Sequence, residues 1–145
     1  MKVDRTRGVT LLELLVLLGL LSLFAGAAVP QLSSMMGMLE LRAGALRMAS
    51  ALTRARFAAL AHGEPWWVRV VGPSAFEVGP EGIAPVRTQL PGNVRFVAVT
   101  SGGEVRFGPN GWAENATFTL GYAEHERSVV VNQRGRVRLR DREDG

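Results

Sequence analysis

The chain has 145 residues, which is enough for a single domain of ordinary size. It contains no cysteine, and this excludes disulfide bonds, thiolate metal sites and thiol redox chemistry. The net charge is +4, and the basic excess lies at the two ends of the chain, with six arginines and three acids among residues 127–145.

A short basic leader, residues 1–8, precedes an almost unbroken apolar segment, residues 9–29. As a helix this segment would be about 31 Å long, roughly the hydrocarbon thickness of a bilayer. We therefore predict a transmembrane helix whose basic flank stays in the cytoplasm. A cleaved secretory signal peptide, cut near the small residues 25–28, is the alternative.

One carboxylate, Glu13, interrupts the apolar segment. A charged side chain costs roughly 2.5–3.5 kcal/mol at the centre of a membrane helix, so a carboxylate kept there is expected to have a function. The alternative is that Glu13 only reaches the aqueous interface from the end of the helix.

Helical periodicity resumes after Pro30 and continues to His62. It predicts two adjacent apolar stripes. The first stripe contains Leu39, Ala43, Leu46, Ser50, Thr53, Phe57 and Leu60, and the second contains Met38, Leu41, Ala45, Met48, Leu52, Ala55 and Ala59. The opposite face carries Glu40, Arg47 and Arg54. Because His62 and Gly63 form a typical helix end, residues 9–61 are predicted as one helix of about 80 Å, kinked near Pro30.

From residue 63 onward the pattern changes to short alternating segments separated by glycine and proline. Strands are predicted at residues 66–71, 75–78, 86–90, 94–100, 104–107, 116–122, 128–132 and 136–140. The predicted fold class is therefore α+β, a long N-terminal helix that carries a small antiparallel β head. The predicted divisions are a leader at 1–8, an apolar helix at 9–29, an amphipathic helix continuing into the head at 30–62, and the head at 63–145.

The strongest local pattern in the head is SVVVNQRGRVRLR, residues 128–140. It predicts a hairpin with a three-residue loop and Gly135 in the left-handed bulge position. In this register Val131 pairs with Val137, and Val129 pairs with Leu139. A two-residue loop would instead place valines opposite arginines on each face, so the bulged register is preferred.

The other face of this hairpin would carry a row of arginines. Arg136, Arg138 and Arg140 would lie about 6.8 Å apart, and Arg134 would extend the row over the loop. The spacing fits the phosphates of a nucleic-acid strand, whose axial rise is about 3.4 Å. A solvated surface that protects an edge strand by its charge is the alternative.

Other side chains that often carry chemistry do not form a recognisable motif. His62 and His125 are isolated from other metal-binding residues, so no metal site is predicted. There is no nucleophile motif, Walker loop or dinucleotide-binding loop, so we predict neither an enzyme nor a cofactor. Trp66, Trp67 and Trp112 are expected to anchor the small core, with base stacking as the alternative.

The N-terminal segment resembles that of type IV pilins and type II secretion pseudopilins. Its leader ends at Gly8, Glu13 is the fifth residue after this glycine, and Pro30 is the twenty-second. The resemblance implies that prepilin peptidase cuts after Gly8 and that Val9 becomes the first, methylated residue. The new amine on Val9 would need an opposite charge when helices pack around it. Glu13 of a neighbouring subunit can supply that charge, so we predict that Glu13 assists filament assembly.

The C-terminal half is similar to the minor pilins and pseudopilins of the FimT and GspH class. The similarity lies in VRFGPNGWAENATFTLGY and, after it, RSVVVNQRGRVRL, residues 105–122 and 127–139. In FimT-type members a Gly-Arg-x-Arg element is implicated in DNA binding during natural transformation. That element corresponds here to Gly135, Arg136 and Arg138, and Arg134 and Arg140 extend it.

We therefore expect a minor pilin-like subunit that prepilin peptidase processes. The precursor would be a single-pass protein of the bacterial inner membrane with its N-terminus in the cytoplasm. The mature subunit would join other pilin subunits in a periplasmic or cell-surface filament and bind duplex DNA through the hairpin. One alternative is a GspH-like pseudopilin of a type II secretion system with no DNA binding. The other is a secreted enzyme released by cleavage near Ala27.

Overall fold

The computed structural model describes the backbone of residues 9–141 and the side chains of residues 9–26 and 33–140. The predicted leader, residues 1–8, lies outside the described part, as do residues 142–145. The chain forms two compact units, of which the first ends at Met35 and the second begins at Met36. Pro30 belongs to the stretch whose side chains are not described, so the kink near it stays a prediction.

The first unit is the N-terminal part of helix α1, Leu11–His62. Thr10 caps this helix, because its Oγ1 accepts a hydrogen bond from the backbone N–H of Glu13 at 3.2 Å. The cap explains why the helix begins at Leu11, two residues later than the periodicity predicts. Threonine followed three residues later by glutamate is the capping-box pattern, which marks a helix start independently of the apolar periodicity.

In the second unit, only one of the two apolar stripes of α1 enters the core. Residues of the second stripe are buried: Leu41, Ala45, Met48, Leu52, Ala55 and Ala59. In the first stripe, Leu39, Leu46 and Phe57 remain 60%, 49% and 62% exposed. Glycine brings the buried face close to the head, since a Cβ on Gly37 would overlap the ring of Tyr122.

The helix ends at His62, one residue beyond the predicted end. Gly63 follows with a φ of +70°, and its N–H donates to the carbonyl oxygen of Ala59 at 3.0 Å. This is the left-handed glycine cap that the His-Gly pair predicts.

Eight strands follow the helix, and they form two four-stranded antiparallel sheets. The strands are β1 Trp66–Val70, β2 Ala75–Pro80, β3 Val86–Gln89, β4 Arg95–Val99, β5 Glu104–Phe107, β6 Ala116–Tyr122, β7 His125–Val131 and β8 Val137–Asp141, with a short 3₁₀ turn at Ser101–Gly103. The first sheet has the order β3-β2-β1-β5, and the second has the order β4-β6-β7-β8. The predicted α+β fold class with an antiparallel head is confirmed.

Most predicted strands agree with the observed bounds to within a residue or two. The exception is β7, which begins at His125 instead of residue 128 and pairs there with Tyr122. The two-residue turn before it contains Ala123 at a φ of +51°. Because neither glycine nor asparagine marks this turn, the sequence gives no sign that the strand begins so early.

Both sheets and the second stripe of α1 share one hydrophobic core. The first sheet contributes Val68, Phe76, Val105 and Phe107, and the second contributes Ala116, Phe118, Leu120, Val129 and Val131. At the start of β6, buried and less buried side chains alternate between the two faces of the sheet. Phe118 is buried on the core face, and Thr117 is half-buried on the other face. The sheets are thereby fixed against the helix, which positions the last hairpin.

Candidate functional site

The β7–β8 hairpin has the predicted bulged register. Val131 pairs with Val137, and Val129 pairs with Leu139. The loop closes through a hydrogen bond of 2.8 Å from the N–H of Gly135 to the carbonyl oxygen of Asn132. Gly135 has a φ of +68°, which is the left-handed conformation that this bulge requires.

Asn132 orders the loop through its side chain as well. Its Oδ1 accepts hydrogen bonds from the backbone N–H groups of Arg134 at 3.1 Å and Arg136 at 2.9 Å. Two arginines of the row are therefore held by the same amide oxygen. This role of Asn132 was not predicted, although asparagine at the start of a turn is the pattern that could have indicated it.

The loop is also anchored to a neighbouring loop and to helix α1. Gln133 accepts a hydrogen bond of 3.1 Å from the N–H of Ala113, and Arg56 Nε donates to the carbonyl oxygen of Gly111 at 3.3 Å. Gly135 is buried where these elements meet, and a Cβ there would overlap the carbonyl oxygen of Gly111. The position of the arginine row thus depends on contacts from distant parts of the sequence.

The arginines of the row are exposed and have neutral neighbours across the strand. Arg138 lies opposite Val130, and Arg140 lies opposite Ser128. Among the side chains that the structure describes, no carboxylate lies within 4.0 Å of the guanidinium groups of Arg134, Arg136, Arg138 or Arg140. The row therefore offers cations that are not already neutralised by an ion pair in this part of the chain.

Arginines on the outer face of the first sheet are arranged differently. Arg69 and Arg106 both donate to Glu104, at 2.6 Å each. Burial raises the pKa of Glu104, but the hydrogen bonds and charges of Arg106 and Arg69 outweigh it, so the pKa lies below its ordinary value. The hydrogen bond and charge of Glu104 likewise raise the pKa of Arg106. This face is a paired charge network, unlike the hairpin row.

Two open clefts flank the hairpin loop. One has a volume of about 260 Å³ and is lined by Asn115, Asn132, Gln133, Arg134 and Arg136. The other has a volume of about 290 Å³ and lies between helix α1 and β8, lined by Thr53, Arg56, Phe57, Gly135, Arg136, Val137 and Arg138. We call the second one the helix–hairpin cleft. Both clefts combine guanidinium groups with hydrogen-bonding or aromatic groups.

The tryptophans have different environments. Trp66 packs against the core, and its ring stacks on His62 with 6.1 Å between the ring centroids. Trp67 is half-buried, and the guanidinium carbon of Arg69 lies over its ring, 4.6 Å from the ring centroid. Trp112 is 58% exposed, so the expectation that it anchors the core is wrong. It lies in the loop that contacts the hairpin, where turn geometry rather than apolar periodicity sets its position.

The N-terminal site residues lie in or before the first turn of α1. Val9 and Glu13 are exposed, as are the large apolar side chains from Leu11 to Phe24. Gly8 lies outside the described residues, so the cleavage site stays a prediction. None of the helical segments in the described part of the chain combines the length and the apolar character that a membrane crossing needs.

Metal-binding side chains are dispersed. Across the described residues, no group of three or more histidine, aspartate or glutamate side chains is close enough to hold an ion. His62 instead belongs to the helix end and to the stacked pair with Trp66.

Comparisons with known proteins agree with this architecture. Residues 44–135 match the family described as Type II transport protein GspH. The pilin-like protein PilA1 of Thermus thermophilus is 31% identical over an alignment that covers 92% of this chain and 97% of that protein. Two crystal structures of the type IV minor pilin FimU of Pseudomonas aeruginosa have the same fold, at 19% and 20% identity. Their TM-scores are 0.61 and 0.57. The alignments cover 71% and 69% of this chain, and 90% and 92% of the two crystallised FimU chains. The chain therefore belongs to the GspH family and to the pilin-like proteins.

Proposed function

We propose that this subunit binds DNA through the arginine row of its C-terminal hairpin while it is part of an extracytoplasmic filament. The observation that carries the proposal is the exposed set Arg134, Arg136, Arg138 and Arg140 on an ordered loop and strand, none of which forms an ion pair with a described carboxylate. Contacts from guanidinium groups to phosphates position a protein on DNA without reading its sequence. The expected ligand is therefore duplex DNA of any sequence, as uptake during natural transformation requires.

Assembly of the subunit is the second part of the proposal. Pilin-like subunits associate with one another, and the exposed apolar side chains from Leu11 to Phe24 are a surface that a bilayer or neighbouring helices would cover. We infer that prepilin peptidase removes residues 1–8, that the amine of Val9 is methylated, and that Glu13 pairs with that amine in a neighbouring subunit. The precursor would lie in the inner membrane and the mature subunit in a periplasmic or cell-surface filament.

Mass spectrometry of the subunit from its native host tests the processing step. Cleavage after Gly8 predicts a mature chain that begins at Val9 and carries one methyl group. A mature chain that instead begins near residue 28 would contradict the proposal and support a secreted protein, which is the alternative that the small residues 25–28 suggest.

A second candidate function is a structural role in a type II secretion filament, without DNA binding. The match of residues 44–135 to the family described as Type II transport protein GspH favours it. In this case the arginine row would contact partner subunits or remain solvated. DNA titration separates the two functions.

The titration uses the full chain in a non-ionic detergent and a labelled duplex at several salt concentrations. Three or four phosphate contacts predict a slope near −3 in a plot of log affinity against log salt, from about −0.9 per neutralised phosphate. Replacement of Arg134, Arg136 and Arg138 by glutamine should weaken binding and flatten this slope. The matched control replaces Arg42, Arg87 and Arg95, three exposed arginines away from the hairpin, and should change both quantities much less.

Two results would overturn DNA binding. Absence of binding at low salt would show that the row is only a charged surface. Equal losses in the hairpin and control variants would mean that net charge, and not the hairpin, attracts DNA.

A further inference from the structure

The helix–hairpin cleft brings together residues of two separate sequence patterns, the first stripe of α1 and the arginine row of the hairpin. Phe57 belongs to the first stripe of α1, and Arg136 and Arg138 belong to the hairpin, yet all three line one cleft. Its volume of about 290 Å³ is just below the roughly 300–1,000 Å³ that small-molecule sites occupy. A cleft of this size suits a single nucleotide rather than a long segment of polymer.

Phe57 is the least expected member of the cleft. Its ring is 62% exposed, although a large aromatic side chain stabilises a protein most when it is buried. The ring is not part of the hydrophobic core, because the second stripe of α1 packs there instead. An exposed aromatic face beside guanidinium groups is the combination on which proteins stack the bases of single-stranded nucleic acids.

The remaining walls of the cleft are fixed in place. Arg56 donates from Nε to the carbonyl oxygen of Gly111, and Gly135 is buried against the same carbonyl. Asn132 holds the backbone of Arg136 from the other side of the loop. Helix α1 and the hairpin are thus connected through the loop that contains Gly111 and Ala113, and this order of the backbone lowers the entropy lost on binding.

We propose that the helix–hairpin cleft binds one unpaired nucleotide of DNA, with its base stacked on Phe57 and its phosphate at Arg136 and Arg138. This inference rests on the proposed DNA binding and deepens it. Bases inside a duplex are stacked on both faces and cannot offer a face to Phe57, whereas bases in a single-stranded end can. The subunit should therefore prefer a duplex with a single-stranded end over a blunt duplex.

The test compares a blunt duplex with the same duplex carrying a short thymidylate overhang, both labelled and titrated with the full chain in non-ionic detergent. The wild-type chain should bind the overhang duplex about fivefold or more tightly, as one stacked base provides. Phe57→Ala should remove this preference and leave the affinity for the blunt duplex within about twofold of wild type. Phe57→Trp, which keeps an aromatic face, should retain the preference.

Leu46→Ala is the matched control, because Leu46 is an exposed residue of the same stripe about 16 Å along the helix from Phe57. It should leave both affinities unchanged. Equal wild-type affinities for the two duplexes, or a preference that survives in Phe57→Ala, would overturn the stacking site while leaving the proposed function intact. An equal loss on both duplexes in Phe57→Ala would also overturn it. If the wild-type chain binds neither duplex, the proposed function itself fails.

Discussion

Gly135 connects the backbone of the hairpin to the rest of the head. It needs a left-handed φ of +68°, and it also needs space, since a Cβ would overlap the carbonyl oxygen of Gly111 and lie 2.8 Å from Arg56 Nε. A glycine in the Gly-Arg-x-Arg element is thus required for packing as well as for the bulge. The sequence indicates the first requirement only.

Gly135→Ala should destabilise the chain by about 2 kcal/mol or more, from the left-handed conformation and the overlap together. Gly72→Ala is the control, because Gly72 has a φ of +74° but open space around its Cα, so only the conformational cost of about 1 kcal/mol applies. Urea denaturation followed by tryptophan fluorescence measures both. Equal destabilisation in the two variants would contradict the packing role of Gly135.

At the scale of secondary-structure elements, the two sheets use their outward arginines in different ways. On β1 and β5, Arg69 and Arg106 are bound to Glu104, which joins the strands. On β8, Arg138 and Arg140 face uncharged partners across the strand. The charges of the first sheet are therefore paired with each other, whereas Arg138 and Arg140 form no ion pair with a described side chain.

The Glu104 network predicts a dependence of stability on pH. The pKa of Glu104 is lowered in the folded chain. Its contribution to the free energy of unfolding is therefore fully present above about pH 4.3, the usual pKa of glutamate. It is lost as the pH falls through the lower folded pKa. The free energy of unfolding should therefore fall more steeply with acidification in wild type than in Glu104→Gln.

Urea denaturation at about pH 6 and about pH 3 measures this difference. A variant in which both Arg69 and Arg106 are changed to glutamine should lose the same part of the pH dependence, since it removes the partners instead of the carboxylate. Parallel pH profiles of wild type and Glu104→Gln would argue that the network does not stabilise the fold.

At the scale of the whole molecule, the subunit has a self-contained head core and a long apolar surface at its N-terminal end. The core lies between residues 41 and 131, whereas the apolar side chains from Leu11 to Phe24 are exposed in the single chain. Membership of the pilin-like family implies association with other pilin subunits. Glu13 lies in this surface and also follows Thr10 in a capping-box pattern, so two roles are assigned to its side chain, as an opposite charge for an amine and as part of the helix cap.

Two substitutions of Glu13 separate the roles. Glutamine can serve in a capping box but has no charge, so Glu13→Gln should lower incorporation into filaments tenfold or more if it leaves the Val9 amine unpaired. Thr10→Val removes the cap and should cost only about 1 kcal/mol of helix stability, with near-normal incorporation. The measurement is the amount of subunit in the sheared filament fraction relative to the membrane fraction. Normal incorporation of Glu13→Gln would refute the charge-pairing hypothesis.

Local patterns in the sequence were sufficient to predict the long helix, its C-terminal end to within one residue, the eight strands and the register of the last hairpin. Each depends on interactions between residues that are close in the chain, such as the 3.6-residue period, the glycine cap and the geometry of a short loop. The turn before β7 was missed because Ala123 adopts its positive φ without a residue type that signals it.

Contacts between distant parts of the chain determine which stripe of α1 is buried, how the strands divide between two sheets, and that Phe57 and Arg56 lie beside the arginine row. Both stripes have the helical period and are mainly apolar, with Ser50 and Thr53 as the polar members of the first, so periodicity alone does not select one. The choice depends on which face fits the sheets with Gly37 against Tyr122. Pairing of β1 with β5 and contact of Arg56 with Gly111 join residues far apart in sequence. No local pattern encodes such contacts, because their energy arises only when the whole core has formed.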